Sequence, residues 1–378
     1  MKALQMVDLV GQYEKVRSEI DGAVLAVIQS GAYINGKPVQ QFAENLAQYL
    51  DVSHVVPCGN GTDALQIALM ALELQEGDEV IVPAFTYVAP AEAALLLGLT
   101  PVFVDVDSIT FNMDMSKIEA AISSKTKAII VVHLFGQSCD MEAILAIAQK
   151  NNLTIIEDNA QSIGCNYHFE DGRIAKTGTM GHIGCLSFFP SKNLGCYGDG
   201  GAILTNDDAL AKRLRMIANH GQAEKYYHEC VGVNSRLDTI QAAILDVKLK
   251  HLDDYISARQ KAAHLYDALL KNCAEITLPK VASGQDHVYH QYTLQVAPEV
   301  RDDMATYLAA QGVPSMIYYP LAVHQQKAFS GKCRIVGSLS VSETLAKTVL
   351  SLPIHTELSV EMQTVISQTV IQFFAKKQ

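Results

Sequence analysis

Short apolar runs alternate with longer stretches in which apolar residues recur every third or fourth position over the first two thirds of the chain. DEVIVPAF (78–85), TPVFVDV (100–106), KAIIVVHLFG (127–136) and TIIED (154–158) have the character of strands. Helical stretches such as CDMEAILAIAQK separate them. The run from Ile129 to Leu134 is apolar without alternation, the pattern of a parallel strand covered by helices on both faces. The spacing predicts an α/β domain over residues 1–245.

Beyond it, RLDTIQAAILDVKLKHLDDYISARQ places Leu237, Ile240, Ile244, Leu245, Leu249, Leu252 and Ile256 at three- and four-residue steps, which predicts one long amphipathic helix. It leads into a smaller C-terminal domain over residues 246–378. There VYHQYTLQV reads as a strand, Asp302 to Gln311 as a helix, and a closing helix follows LSLPIH. The N-terminal helix has the option of packing on this small domain. No internal repeat or low-complexity segment interrupts the pattern.

Composition narrows the function. The net charge of −11 argues against non-specific nucleic-acid binding, which needs dense Lys and Arg. No window reaches the roughly 18 uncharged apolar residues of a membrane span. Acidic residues come too early in MKALQMVDLVGQYEKVRSEI for a secretory signal, so the expected location is cytoplasmic. Eight cysteines lack a CxxC pair or a disulfide-like spacing and read as reduced core residues, and no metal site is expected.

Four stretches can carry chemistry. In CGNGTDALQIALMAL (58–72), Gly59 and Gly61 precede a helix apolar almost all round. Its free amides and the Thr62 hydroxyl suit a phosphate, or Asn60 or Thr62 simply caps the helix. In TIIEDNAQS, Glu157 and Asp158 end a strand at the edge where open α/β sheets bind ligands. A carboxylate there can hold a metal, orient a histidine, keep a ring nitrogen protonated, or cap the next helix. Gln161 follows within reach of the same ligand.

In SFFPSKNLGCYGDGG (187–201), Pro190 ends the strand and Lys192 stands before a glycine cluster. A partly desolvated lysine is a nucleophile that forms an imine with a carbonyl, although a loop lysine is more often solvated. The glycines do not open a helix, so they are no dinucleotide fingerprint. In GVNSRLDTIQA (232–242), Asn234 and Arg236 precede the long helix; Arg236 can fork onto a carboxylate or phosphate, and Asn234 or Ser235 can cap the helix.

A phosphate-ready helix start, an aromatic in PAFTYVAPAE, the aspartate of EDNAQ and a later lysine describe, in this order, a pyridoxal phosphate site. Over essentially its whole length the chain resembles the sugar-nucleotide aminotransferases of the DegT and StrS family, pyridoxal 5′-phosphate enzymes of fold type I (aspartate aminotransferase-like). The resemblance implies a large domain with a mostly parallel seven-stranded sheet and a small α+β C-terminal domain. It implies that Lys192 holds the cofactor as an imine, that Asp158 pairs with the ring nitrogen and that Gln161 meets the phenolic oxygen. Gly61, Thr62 and Ser187 would hold the phosphate, Tyr87 would face the ring, and Asn234 of a partner subunit would join the phosphate in a homodimer.

The same resemblance implies an amino donor, usually L-glutamate, that leaves the cofactor as pyridoxamine 5′-phosphate, and a nucleotide-linked ketosugar that accepts the amine. Dehydratases of the family carry histidine where Lys192 stands. SGAYING, HGQ and VGVNSRLDTIQAAIL look most like the branch that aminates UDP-2-acetamido-2-deoxy-3-oxo-D-glucuronate for surface polysaccharide such as lipopolysaccharide O-antigen. In that branch Gly31, Tyr33, Ser191, Arg236, Tyr318 and Tyr319 would line the sugar pocket, with Arg236 on the uronate carboxylate. Tyr318 stands where some relatives have histidine, which leaves other ketosugars, dTDP-linked deoxysugars included, open. A pyridoxal-binding regulatory protein without turnover and a nucleotide-dependent oxidoreductase are the competing classes.

Overall fold

The computed structural model describes residues 3–376. Helices α1 (Leu9–Ser30) and α2 (Lys37–Leu50) precede the run β1 (His54–Cys58), α3 (Gly61–Ala71), β2 (Glu79–Pro83), α4 (Ala89–Leu96), β3 (Thr100–Val104) and α5 (Met115–Ala121). Then come β4 (Thr126–Val132), α6 (Met141–Asn151), β5 (Thr154–Asp158), β6 (Ile183–Ser187), β7 (Gly201–Thr205) and α7 (Asp208–Ala218). The C-terminal part holds α8 (Thr239–Leu249), α9 (Leu252–Leu270), β8 (Ile276–Thr277), β9 (Tyr292–Val296), α10 (Pro298–Ala310), β10 (Arg334–Ile335), α11 (Ser340–Thr348), β11 (Val349–Leu352) and α12 (Val360–Ala375).

The large sheet runs β1-β7-β6-β5-β4-β2-β3-β10. Every neighbouring pair is parallel except the two made by β7. The seven expected strands are present, and an eighth, the two-residue β10, joins the β3 edge from the C-terminal part of the chain. Alternate residues of each strand feed different cores. Val80, Val82 and Ile130 pack with α3, α4 and α7, whereas Ile81, Ile129 and Val131 pack with α5 and α6. Coverage on both faces is the reason these strands carry no polar alternation.

The predicted long helix is two. Its ladder breaks at Lys250 and His251, where His251 has φ −105° and ψ 3°. On α8, Ile244 and Val247 pack against Val16 and Ile20 of α1, and Leu245 and Leu249 pack toward α2. On α9, Ala262, Ala263, Tyr266 and Leu270 enter the core under the three-stranded antiparallel sheet β8-β9-β11. A straight helix could not serve both surfaces. Helix α1 therefore lies chiefly along α8, and it meets the C-terminal part through Lys15 and Glu357, 2.8 Å apart. Among the described residues no helix is long and apolar enough to cross a membrane.

Buried Asp105, just past β3, fastens the C-terminal part to the large sheet. Its carboxylate accepts from the Val341 and Ser342 amides at 2.9 and 2.8 Å and from the Ser342 hydroxyl at 2.6 Å, at the start of α11. Hydrogen bonds to a charged group contribute about 1.5–3 kcal/mol each at most. Asp105→Ala is expected to lower stability by on the order of 2–4 kcal/mol, read as a fall in the urea unfolding midpoint, with Asp105→Asn intermediate.

Candidate active site

Strand β5 delivers Glu157 and Asp158 to opposite faces, as successive strand residues must be. Glu157 has no exposed surface. It accepts from His133 Nε2 at 2.8 Å and from the amides of Gly178, Met180 and Gly181 at 2.7, 2.7 and 2.5 Å. The Cys139 amide donates to His133 Nδ1 at 3.0 Å, so the imidazole carries its proton on Nε2. Glu157 is thus a structural anchor, and Asp158 alone, 6% exposed, faces the cavity. Burial pushes the Asp158 carboxyl upward, opposed by a hydrogen bond from the Ala160 amide at 3.1 Å and by the charge of Lys192.

The phosphate-type cradle lies where β1 meets α3. Asn60 Oδ1 accepts from the Asp63 amide at 2.8 Å and the Asn60 carbonyl from Ala64, so the cap leaves out the amides of Gly61 and Thr62. A Cβ on Gly61 would stand 2.7 Å from Cβ of Ser187 at the end of β6, so only glycine permits this approach. Gly61, Thr62 and Ser187 share one wall of the cavity.

Past β6 the chain closes a tight loop. The Lys192 amide donates to the Phe189 carbonyl and the Cys196 amide to the Phe188 carbonyl, both at 2.8 Å. Any side chain at Gly195 would collide with the Pro190 carbonyl. The loop presents Lys192 to the cavity opposite Asp158. Burial pulls the ammonium down to about 8, and the charge of Asp158 works the other way.

Gln161 forms the next wall. Its Oε1 accepts from the Phe135 amide at 2.7 Å, and its Nε2 donates to Tyr319 Oη at 3.2 Å. The rings of Tyr87 and Tyr319 lie 6.1 Å apart, and Tyr318 stands beside them. Together with Ser191 these residues enclose about 720 Å³.

Thr86, Asp199, His290 and Gln291 also line the cavity, unanticipated from the sequence. His290 is 5% exposed, its Nδ1 has no partner, and burial holds its pKa well below the usual imidazole range. Nothing local in VYHQYTLQV marks it, because the segment reads as the start of β9.

Four expected residues do not line this chain's cavity. Gly31 terminates α1 with φ 67°, and Tyr33 is 48% exposed beyond it. Asn234 bridges to Asn219. Between Asn234 and Arg236, the Ser235 hydroxyl accepts from the Gly59 amide at 2.8 Å and donates to Asp63 at 2.5 Å, tying their segment to the α3 entrance.

Lys192 and Asp158 face each other across the cavity. Because Asp158 supports the charged ammonium, Asp158→Asn is expected to lower the pH at which Lys192 becomes half-reactive from its wild-type value near 8. Competitive acetylation of the cofactor-free protein across a pH series, read peptide by peptide, measures it. A rise would contradict the arrangement.

The donor set fits pyridoxal 5′-phosphate: a helix entrance with free amides, a glycine that leaves room beside Ser187, a buried carboxylate and a lysine of depressed basicity within one cavity. The model of the DegT/DnrJ/EryC1/StrS aminotransferase family matches residues 14–371. The chain is 46% identical to a "Pleiotropic regulatory protein" of Geobacillus stearothermophilus over 98% of each chain. It is 45% identical to the UDP-2-acetamido-2-deoxy-3-oxo-D-glucuronate aminotransferase of Pseudomonas aeruginosa, covering 93% of this chain and 95% of that one. It is 44% identical to the dTDP-3-amino-3,6-dideoxy-alpha-D-galactopyranose transaminase of Aneurinibacillus thermoaerophilus, covering 92% and 93%. The crystal structure of a DegT DnrJ EryC1 StrS aminotransferase from Brucella abortus superposes with a TM-score of 0.93 at 41% identity, over 98% of this chain and 99% of that one. The chain belongs to the DegT/DnrJ/EryC1/StrS aminotransferase family and is a pyridoxal 5′-phosphate-dependent aminotransferase.

Proposed function

We propose that the chain moves an amino group from L-glutamate to the keto carbon of UDP-2-acetamido-2-deoxy-3-oxo-D-glucuronate, for a surface polysaccharide such as O-antigen. The observation that carries the transamination reading is Lys192 facing Asp158 across one cavity, beside the α3 entrance. Bound there, pyridoxal phosphate supplies an electron sink and a carrier for the amine. In this reading Lys192 Nζ anchors the cofactor and, once released, moves the proton at the reacting carbon; a basicity pulled down to about 8 suits both roles. Asp158 holds the ring-nitrogen proton, Gln161 orients the phenolic oxygen, and Tyr87 covers the ring. Gly61, Thr62 and Ser187 take the phosphate.

The UDP-uronate reading rests on the sequence likeness to that branch, supported by the Pseudomonas relative, and on Arg236 as the carboxylate's partner. The Aneurinibacillus relative keeps a dTDP-linked deoxysugar as the alternative, which Tyr318, standing where some relatives have histidine, leaves open. The name of the Geobacillus relative points to regulation, and the intact Lys192, Asp158 and Gln161 set speaks against a regulatory role without turnover for this chain. Gly31, Tyr33, Asn234 and Arg236 lie off this chain's cavity, and a homodimer that lends them to the neighbouring site accounts for their position.

Three measurements test this. Borohydride reduction of the holoenzyme is expected to label Lys192 and nothing else, with no label in Lys192→Ala. In the same assay series, Arg236→Ala is expected to raise the KM of the uronate about 30-fold, a forked ion pair being worth about 2 kcal/mol, and that of a neutral 6-deoxy analogue far less. Equal losses would refute the uronate assignment. Separately, mixing inactive Lys192→Ala with weakened Asn234→Ala protein is expected to give more activity than the two measured apart, through hybrid dimers with one intact site; no gain would refute shared sites.

A further inference from the structure

Lys248, on α8, is 1% exposed and does not line the cavity. Its ammonium donates to the carbonyl of Gly195 and stands 5.2 Å over the ring of Tyr197. Two turns earlier on the same helix, Gln241 Oε1 accepts from the Tyr197 amide at 2.8 Å. Gly195 and Tyr197 flank Cys196, whose amide and thiol both bond the Phe188 carbonyl and so close the base of the loop carrying Lys192. Asn193, inside the loop, adds one bond from Nδ2 to the Val288 carbonyl at 3.1 Å.

The charged or titratable groups felt by Lys248 are the Cys196 thiol and Arg259 of α9, neither of them a carboxylate, and burial pulls the ammonium down to about 8. An unpaired buried cation is unfavourable, and methionine or leucine would fill the same space without that penalty. What a lysine adds here is a charge-assisted bond to one carbonyl of the loop. We propose that Lys248 is a positioning residue for Lys192: by fixing the Gly195 carbonyl to α8, beside the grip of Gln241 on Tyr197, it holds the loop at the depth where the Lys192 amine is desolvated opposite Asp158. The inference rests on the reading of Lys192 as the cofactor-binding lysine.

The test uses the full-length, cofactor-free protein. Competitive acetylation across a pH series gives the half-reaction pH of Lys192, which faces Asp158 and His290, in wild type, Lys248→Met and Ile244→Ala. Ile244 packs against α1 and serves as a control that destabilises α8 without touching the loop. In Lys248→Met the midpoint is expected to rise from about 8 toward that of a solvated lysine. The loaded variant should lose about tenfold in kcat, with both KM values within about threefold of wild type. Ile244→Ala should lower the thermal midpoint and leave the Lys192 midpoint in place. An unchanged midpoint in Lys248→Met, or an equal rise in Ile244→Ala, would overturn the proposal. A borohydride label on a lysine other than Lys192 would instead overturn the functional reading, while the acetylation midpoints would still report on the loop.

Discussion

A carboxylate with no exposed surface, Glu157, accepts four hydrogen bonds, and the two arms of the active cavity hang from it. Through His133 it holds the end of β4 and the turn Leu134–Gly136, whose Phe135 amide orients Gln161. Through the Gly178, Met180 and Gly181 amides it holds the turn that enters β6, and β6 leads to Ser187 and the Lys192 loop. A buried charge satisfied on all sides is rigid because moving any donor leaves it unpaired in a low-dielectric interior. The residues that meet a ligand are mobile in chemistry and fixed in place for this reason.

The large sheet is covered on both faces, so its interior offers no room for a ligand, and polar chemistry collects at the carboxyl edges of the strands. There, Asp158 and Lys192 temper each other. Burial raises the acid and lowers the base, and their mutual attraction offsets part of both shifts.

Much of this was legible in the sequence. Apolar runs without alternation announced a doubly covered parallel sheet, and GNGTDAL, EDNAQ and SFFPSK met at one cavity as their types and order implied. What escaped had physical reasons. Residue type and spacing leave Glu157 and Asp158 equivalent; the resemblance singled out Asp158, and the pleat turns Glu157 away from the cavity as an anchor. Lys250 and His251 break the long helix although neither is a helix breaker, because two cores compete for its faces. His290 and Gln291 reach the cavity from the mouth of β9 without any local motif, and Arg334–Ile335 is too short a strand to carry a period. Lys248 sits in a helix where charged residues normally face water, and its burial follows from the loop laid over it.

The reversed direction of β7 has a consequence for how this architecture can vary. A parallel neighbour would have required the chain to cross back over the sheet, usually by a helix, before pairing. Because β7 is antiparallel to β6, the connection from Phe188 to Gly200 leaves and re-enters at one edge, with the Phe188 amide bonded to the Gly200 carbonyl at 2.7 Å. Lys192 therefore rides on a closed local excursion and not on a crossover. Residues inserted near Asp199, past the contacts that tie Tyr197 to α8, would lengthen the rim of the cavity without displacing a layer of the fold.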